Sequence, residues 1–270
     1  MKTSNHLLRR LTAALLAAVL ALSIALPVFA SDDGDTIYIN SVSDLLSLAR
    51  SCAYDQWSVG KTVILQKDLS LEGMLWEPIP SFSGQFKGSG HTISDLTITG
   101  QYSPAGLFGI VEEQGSIESL SVRGVVSVSD SADTTTGGIV GINHGTLINC
   151  QFTGVVTGDS EVGGIVGRNE SEGTIDHSTA RAIVTGKSST GGIAGYNLGA
   201  ITGCTNVGSI NTEYQEASLD TDGFTAKMVD QINNKIAAAD DDATNSVTNV
   251  ATDTGGIAGR SSGMILTSVN

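Results

Sequence analysis

Five residues in one short stretch could act together on a glycosidic bond: Glu170, Glu172, Asp176, His177 and Arg181. Cleaving a polysaccharide asks for two carboxylates flanking the bond, one as acid and one as base or nucleophile, at a set separation across a cleft. Glu170 stands beside a short insertion, and the neighbouring stretches offer no complementary acids. Coincidence explains the grouping of these residues without chemistry. The second candidate is Ser218-Leu219-Asp220-Thr221-Asp222-Gly223. On an EF-hand frame Asp220, Asp222 and Gly223 fit the third, fifth and sixth positions. Ser218, however, stands where an Asp is wanted, and Val229 where the bidentate Glu belongs. A loop leading into a helix accounts for the segment without metal. No HExxH, GxSxG or phosphate-binding loop occurs. His91 and His144 read as turn residues. The sequence thus assigns no catalytic residue, no cofactor-binding residue and no metal ligand, and no cofactor is expected.

The elements that would position such groups come from a repeated phrase. Gly137-Gly138-Ile139-Val140-Gly141-Ile142-Asn143 returns as Gly163-Gly164-Ile165-Val166-Gly167-Arg168-Asn169 and as Gly191-Gly192-Ile193-Ala194-Gly195-Tyr196-Asn197. An eroded form follows at Gly255-Gly256-Ile257-Ala258-Gly259-Arg260-Ser261, and an outlying one precedes at Ala105-Gly106-Leu107-Phe108-Gly109. The first interval is 26 residues and the second 28, the two extra residues falling near Glu170-Ser171. Such a period marks a solenoid. Three apolar columns run through it: Ile139, Ile165, Ile193 and Ile257; then Ile117, Leu147, Ile175, Ile201 and Ile265; then Val126, Val156, Val184 and Ile210. They are mainly β-branched and are separated by Gly, Asn, Ser and Thr, which predicts three short strands per turn. Gly and β-branched residues recur too often for helical repeats. The expected fold is all-β, a right-handed parallel β-helix, since parallel crossovers take that hand. Asn143, Asn169 and Asn197 are expected to stack at a corner in left-handed backbone, their amides bonding along the axis.

An open solenoid end is a row of unpaired strand edges and needs a cover. Ser41 with Asp44 resembles a capping box, and Leu45, Leu46, Leu48, Ala49 and Cys52 give one face of a short capping helix. Eight of the 13 aromatic residues lie between Tyr38 and Phe108, as a bulky core under that cap or as a carbohydrate-stacking platform. Between the third phrase and the last, 64 residues separate Gly191 from Gly255, about 38 more than one coil needs. Phe224, Met228, Ile232 and Ile236 recur there every four residues, an amphipathic helix inserted at a corner outside the coil. Residues 255–270 should still stack on the coil before it. The chain stops halfway through a coil without a closing cap, as a fragment would, or as an edge that pairs with something else. The organisation expected is 1–30 signal peptide, 31–104 cap and first coils, 105–212 repeats, 213–252 helical insertion and 253–270 a further, incomplete repeat.

Lys2, Arg9 and Arg10 precede an apolar run ending at Val28-Phe29-Ala30, which reads as an export signal cleaved after Ala30. The remainder then carries 11 basic and 28 acidic residues, a net charge of −17. That charge repels nucleic acid and anionic membranes, and no second apolar run suggests insertion into a bilayer. Cys52, Cys150 and Cys204 form no disulfide framework and no zinc spacing. Cys150 and Cys204 sit 13 residues after the first Gly of their phrases, so they share a column as free, inward thiols.

Gly163-Gly164-Ile165-Val166-Gly167-Arg168-Asn169, followed by Gly173-Thr174-Ile175 and Val184-Thr185-Gly186, resembles the GLUG repeat. The segment from Pro78 through Gly84-Gln85-Phe86 and Gly88-Ser89-Gly90-His91-Thr92-Ile93 is similar to the lead-in often found before such repeats. The resemblance covers about 37–270 apart from the long interruption. It implies a secreted or surface bacterial protein, adhesin-like, or the non-catalytic part of an immunoglobulin A-cleaving peptidase. The function expected is a non-enzymatic exported adhesion or binding scaffold, secreted or at the cell surface. Its partner would be a protein or glycan of a host or neighbouring cell. The alternatives are a β-helical polysaccharide lyase or hydrolase, and a spacer in a larger secreted peptidase.

Overall fold

The structure, a computed structural model, describes residues 35–54, 56–128, 134–211 and 252–270. The expected signal segment and the insertion with its candidate calcium loop lie outside the described residues. Residues 35–270 form one compact unit. It is a parallel β-solenoid of about six coils with a single helix among the described residues.

The coils stack into four parallel sheets of eight, six, seven and four strands. One complete coil runs through Val162–Gly163, Val166–Asn169, Thr174–Asp176 and Thr179–Thr185, contributing a strand to the four-, six-, eight- and seven-stranded sheets in that order. The apolar columns hold in register. Ile117, Leu147, Ile175, Ile201 and Ile265 are partners, as are Val126, Val156, Val184 and Ile210. The two-residue insertion is absorbed in the turn where Gly173 N–H donates to the Glu170 carbonyl at 2.9 Å. Register resumes with Thr146 opposite Thr174.

The coils from Thr136 to Ile210 each have four sides formed by strands rather than the three the columns predict, whereas the coils before them contribute no strand to the four-stranded sheet. The phrase Gly-Gly-Ile-Val-Gly makes two strands that meet at a bend, with Ile139, Ile165 and Ile193 buried inside the bend and not on a strand. Packing requires its glycines. A Cβ on Gly163 would lie 2.0 Å from the Val166 carbonyl oxygen of its own bend, and one on Gly138 would lie 2.4 Å from the Phe152 ring.

The Asn column does not use left-handed backbone. That conformation is adopted, among other described residues, by Ser119, Asn149, His177 and Thr267, and by Glu161, Ser189 and Asp253. Strand register puts these residues in two columns at other corners. Asn143, Asn169 and Asn197 end extended strands of the six-stranded sheet, pointing inward.

At the N-terminal end, α1 (Val42–Ser51) packs against Thr36–Ile39 and Ile79–Phe82, the outermost strands of the eight- and six-stranded sheets. Ser41 Oγ accepts from Asp44 N–H at 3.2 Å, and Asp44 Oδ2 accepts from Asn40 N–H at 2.9 Å. The Asn40 N–H first, and the Ser41 hydroxyl second, hold the Asp44 carboxyl below its ordinary range. Leu45 and Leu48 are buried. Under the helix, Phe82, Phe86 and Phe108 meet edge to face or tilted at 5.4–6.3 Å, and Trp76 Nε1 donates to the Leu107 carbonyl at 3.1 Å. The aromatic cluster is therefore largely core. Tyr38 and Tyr54 are exposed, and Trp57 carries Lys61 over its ring at 5.3 Å.

Beyond the interruption, Thr190 pairs with Thr254, Ala194 with Ala258 and Ile201 with Ile265. The last coil stacks directly on the one before it.

Candidate functional site

The five residues that could have formed a glycosidic site are distributed over two faces and a corner. Arg181 lies on the seven-stranded sheet and Asp176 ends a strand of the eight-stranded one. Asp176 Oδ1 lies 2.8 Å from His177 Nδ1. Glu170 and Glu172 belong to the turn after Asn169, where Glu170 Oε1 receives Arg168 Nε at 2.7 Å. Glu172 is held below the ordinary carboxylate range by the Ser171 hydroxyl, its own N–H and the nearby His144. Among the described residues no hydrogen bond or ion pair joins Glu170 or Glu172 to Asp176.

What the register assembles instead is a charged column on the outer face of the six-stranded sheet. Arg168, Tyr196 and Arg260 are partners on successive coils, and the two guanidinium groups lie 5.1 and 5.4 Å from the Tyr196 ring centroid. Arg168 also donates to Glu161 Oε1 at 2.9 Å, and Glu161 Oε2 accepts from Thr135 Oγ1 at 3.1 Å. Charge-assisted bonds of this kind are short and directional; those of Arg168 brace its own coil, and the Thr135–Glu161 bond ties that coil to the one before. Arg168, with both ion pairs made, has little left to offer a ligand. The spacing of the phrase could have shown this column, because Arg168, Tyr196 and Arg260 each follow the third Gly of their phrase.

Inside the same sheet runs an amide ladder. Asn143 Nδ2 donates to Asn169 Oδ1 and Asn169 Nδ2 to Asn197 Oδ1, both at 2.8 Å. Asn197 Nδ2 then donates to Ser261 Oγ at 3.1 Å. All three Asn are wholly buried, so no polar atom of the ladder faces a ligand, and it acts in cohesion between coils. A similar link joins Asn206 Nδ2 to Asn270 Oδ1 at 2.6 Å.

Cys150, Ser178 and Cys204 form one inward column: Ser178 Oγ accepts from Cys150 N–H at 3.1 Å, and Thr205 N–H, next to Cys204, donates to the Ser178 carbonyl at 2.9 Å. All three cysteines of the chain are free and buried. Burial pushes the Cys150 thiol up to about 12 and those of Cys204 and Cys52 to about 11. The thiolate is the reactive form. Iodoacetamide should therefore leave the folded protein unmodified at neutral pH and label all three thiols once the unreduced chain is unfolded, as read by mass. A Cys150–Cys204 bridge would contradict a column in which two coil spacings, about 9–10 Å, separate them.

Asp68 Oδ1 accepts from Thr92 N–H at 2.8 Å and faces His91 Nδ1 at 3.3 Å. The backbone bond first, and His91 second, lower its carboxyl pKa. His91 itself closes a turn, its N–H donating to the Gly88 carbonyl. Among the described residues no group of three or more His, Cys, Asp or Glu is placed to hold a metal ion, and no helix is long and apolar enough to cross a membrane.

Two curated proteins are similar to parts of this chain. Halomucin of Haloquadratum walsbyi is 32% identical over 155 residues, covering 53% of this chain and 2% of that protein. A candidate Gly-rich membrane protein of Evansella cellulosilytica is 28% identical over 137 residues, covering 37% of this chain and 16% of that protein. The chain thus spans a small part of the length of each. The crystal structure of a candidate immunoglobulin A1 protease from Bacteroides ovatus is similar at 20% identity and a TM-score of 0.48, over 65% of this chain and 59% of that one. Residues 158–185 match the family described as the GLUG motif. That span coincides with the complete coil from Val162–Gly163 to Thr179–Thr185, so the chain is a β-solenoid in which the GLUG motif is one full turn.

Proposed function

We propose that this chain is a non-enzymatic exported module, secreted or held at the cell surface, which serves as an adhesion-type binding scaffold. Its first thirty residues direct export, with cleavage after Ala30. Its partner is a protein or glycan of a host or neighbouring cell. The observation that carries this reading is where the coil is interrupted. Segments 129–133 and 212–251 both join the seven-stranded to the four-stranded sheet, as residues 158–161 do in the complete coil. The coils before and after each keep their register. A stack whose coils keep register across chain intervals of very different length tolerates sequence change between its strands, as a binding scaffold does. The GLUG coil and the similarity to a protein named as a membrane protein support a place at the cell envelope.

The test is turnover. Purified chain incubated with neutral and acidic polysaccharides should release no new reducing ends. Cleavage that Asp176→Ala removes, with the circular dichroism spectrum unchanged, would show a β-helical lyase or hydrolase and overturn the scaffold reading.

A further inference from the structure

The outer face of the seven-stranded sheet is built from the longest repeated strands, Ser121–Val128, Gln151–Thr157 and Thr179–Thr185. Alternation sends every second side chain out. Register then makes columns along the solenoid axis. Arg123, Thr153 and Arg181 share one column, and Val125, Val155 and Ile183 share the next. Hydroxyl and amide side chains fill the columns on either side.

The two arginines differ from Arg168. Among the described residues neither Arg123 nor Arg181 has an ion pair or hydrogen bond, whereas Arg168 has two ion pairs. Arg123 acts on Asp68 only through its field, helping to lower that carboxyl. In a chain of net charge −14, two guanidinium groups that make no ion pair stand in one column of this face, with the bulge at Ser94-Asp95 beside Arg123 on the coil before. They lie two coils apart, about 9–10 Å along the axis, with Thr153 buried between them.

We propose that this face binds a linear acidic glycan laid along the solenoid axis, with carboxylates on alternate sugars meeting Arg123 and Arg181. The match is one of period. A polymer bearing charge on every unit, such as a nucleic acid, meets the repulsion of the whole acidic chain. A glycan charged on every second unit brings its carboxylates where the guanidinium groups are, and neutral sugars elsewhere. Guanidinium presents a planar fork suited to a carboxylate. The aliphatic column offers apolar surface to the C–H faces of the sugars, and the flanking hydroxyl columns offer hydrogen bonds in equal axial steps. This assignment rests on the binding-scaffold reading and gives it a ligand class and a location.

The experiment uses the full chain with hyaluronan, a linear glycan with one carboxylate per disaccharide, and neutral dextran as the comparison. Hyaluronan in a native gel should retard the wild-type chain, and dextran should not. Arg123→Gln and Arg181→Gln should each weaken retardation about tenfold, the loss of one charge-assisted contact, and the double variant should abolish it. Arg50→Gln, which removes the same charge on α1, should leave it unchanged. Absence of retardation, equal retardation by dextran, or an equal loss with Arg50→Gln overturns the assignment. If hyaluronan binds in an Arg123- and Arg181-dependent way but is shortened over time, the assignment stands and the non-enzymatic reading falls.

Discussion

Asn169→Ala should lower the unfolding free energy by about 3–5 kcal/mol, because it strands two buried amide groups as well as deleting its own. Asn169 accepts from Asn143 Nδ2 and donates to Asn197 Oδ1 and to the Gly173 carbonyl. No water reaches the ladder, since Asn143, Asn169 and Asn197 are each 0% exposed. Each group left without a partner costs about 1–3 kcal/mol. Asn169→Asp makes a sharper test. One carboxylate oxygen still accepts from Asn143, but the other faces two acceptors with no proton between them. Burial and those acceptors raise the carboxyl pKa in the folded state above its unfolded value of about 3.9. The folded chain then binds more protons than the unfolded one. Stability is therefore greatest below the unfolded pKa and is lost as pH rises through the folded pKa. Urea unfolding followed by circular dichroism from pH 4 to 8 reads this directly. An Asn169→Asp variant whose midpoint rises with pH, or equals wild type at pH 7, would show that the ladder is not the cohesive element described.

Much of the architecture was legible because the solenoid repeats its demands. Ile175 is flanked by Leu147 and Ile201 in space because all three follow Gly-Gly-Ile by the same count once the two-residue insertion near Glu170-Ser171 is allowed for. The Cys150–Ser178–Cys204 column could be counted in the same way. The fourth sheet could not, because its strands run from two residues, as in Val162–Gly163 and Thr136–Gly137, to four, as in Ser188–Gly191, too short and too polar to show a hydrophobic period. The left-handed corners were misplaced for a related reason. Asn is the residue most tolerant of that backbone after Gly, which pointed to Asn143, Asn169 and Asn197. Their side chains instead serve the interior, while the left-handed turns fall in columns where Asn149 and Asp253 alternate with Glu161, Ser189 and His177, residues that do not announce that backbone. The surface was least legible. Arg181 was grouped with Glu170 and Asp176 by proximity in the chain, although its neighbours along the axis are Thr153 and, one coil further, Arg123. Counting back three residues from Val126, Val156 and Val184 would have found that column.

Gly163→Ala should cost more than an ordinary overpacking change, at or above the top of a range of about 1–3 kcal/mol. The added methyl would meet backbone on two sides: the Val166 carbonyl oxygen at 2.0 Å within its own bend, and Gly195 N at 2.7 Å on the next coil. Neither neighbour is a flexible side-chain end that could swing away, so the bend must open or the coils must part. In a solenoid each coil is stabilised mainly by its two neighbours. Damage at residues 158–185 therefore divides the stack, and limited proteolysis should cut within that coil before the rest unfolds. Thr157→Ala, at an outward position where the chain leaves the preceding strand, should change stability by no more than about 0.5 kcal/mol. If Gly163→Ala unfolds cooperatively at the wild-type urea concentration and resists protease equally, the close approach does not constrain the coil. The eroded last phrase shows the same hierarchy within this one chain. Its Asn has become Ser261, which still accepts from Asn197 Nδ2 and passes a bond to the Gly263 carbonyl. Its first glycine has not changed, and a Cβ on Gly255 would stand 1.9 Å from the Ala258 carbonyl oxygen. A shorter polar group can continue the ladder, but no side chain can occupy the bend, so the glycines define the coil and the amides reinforce it.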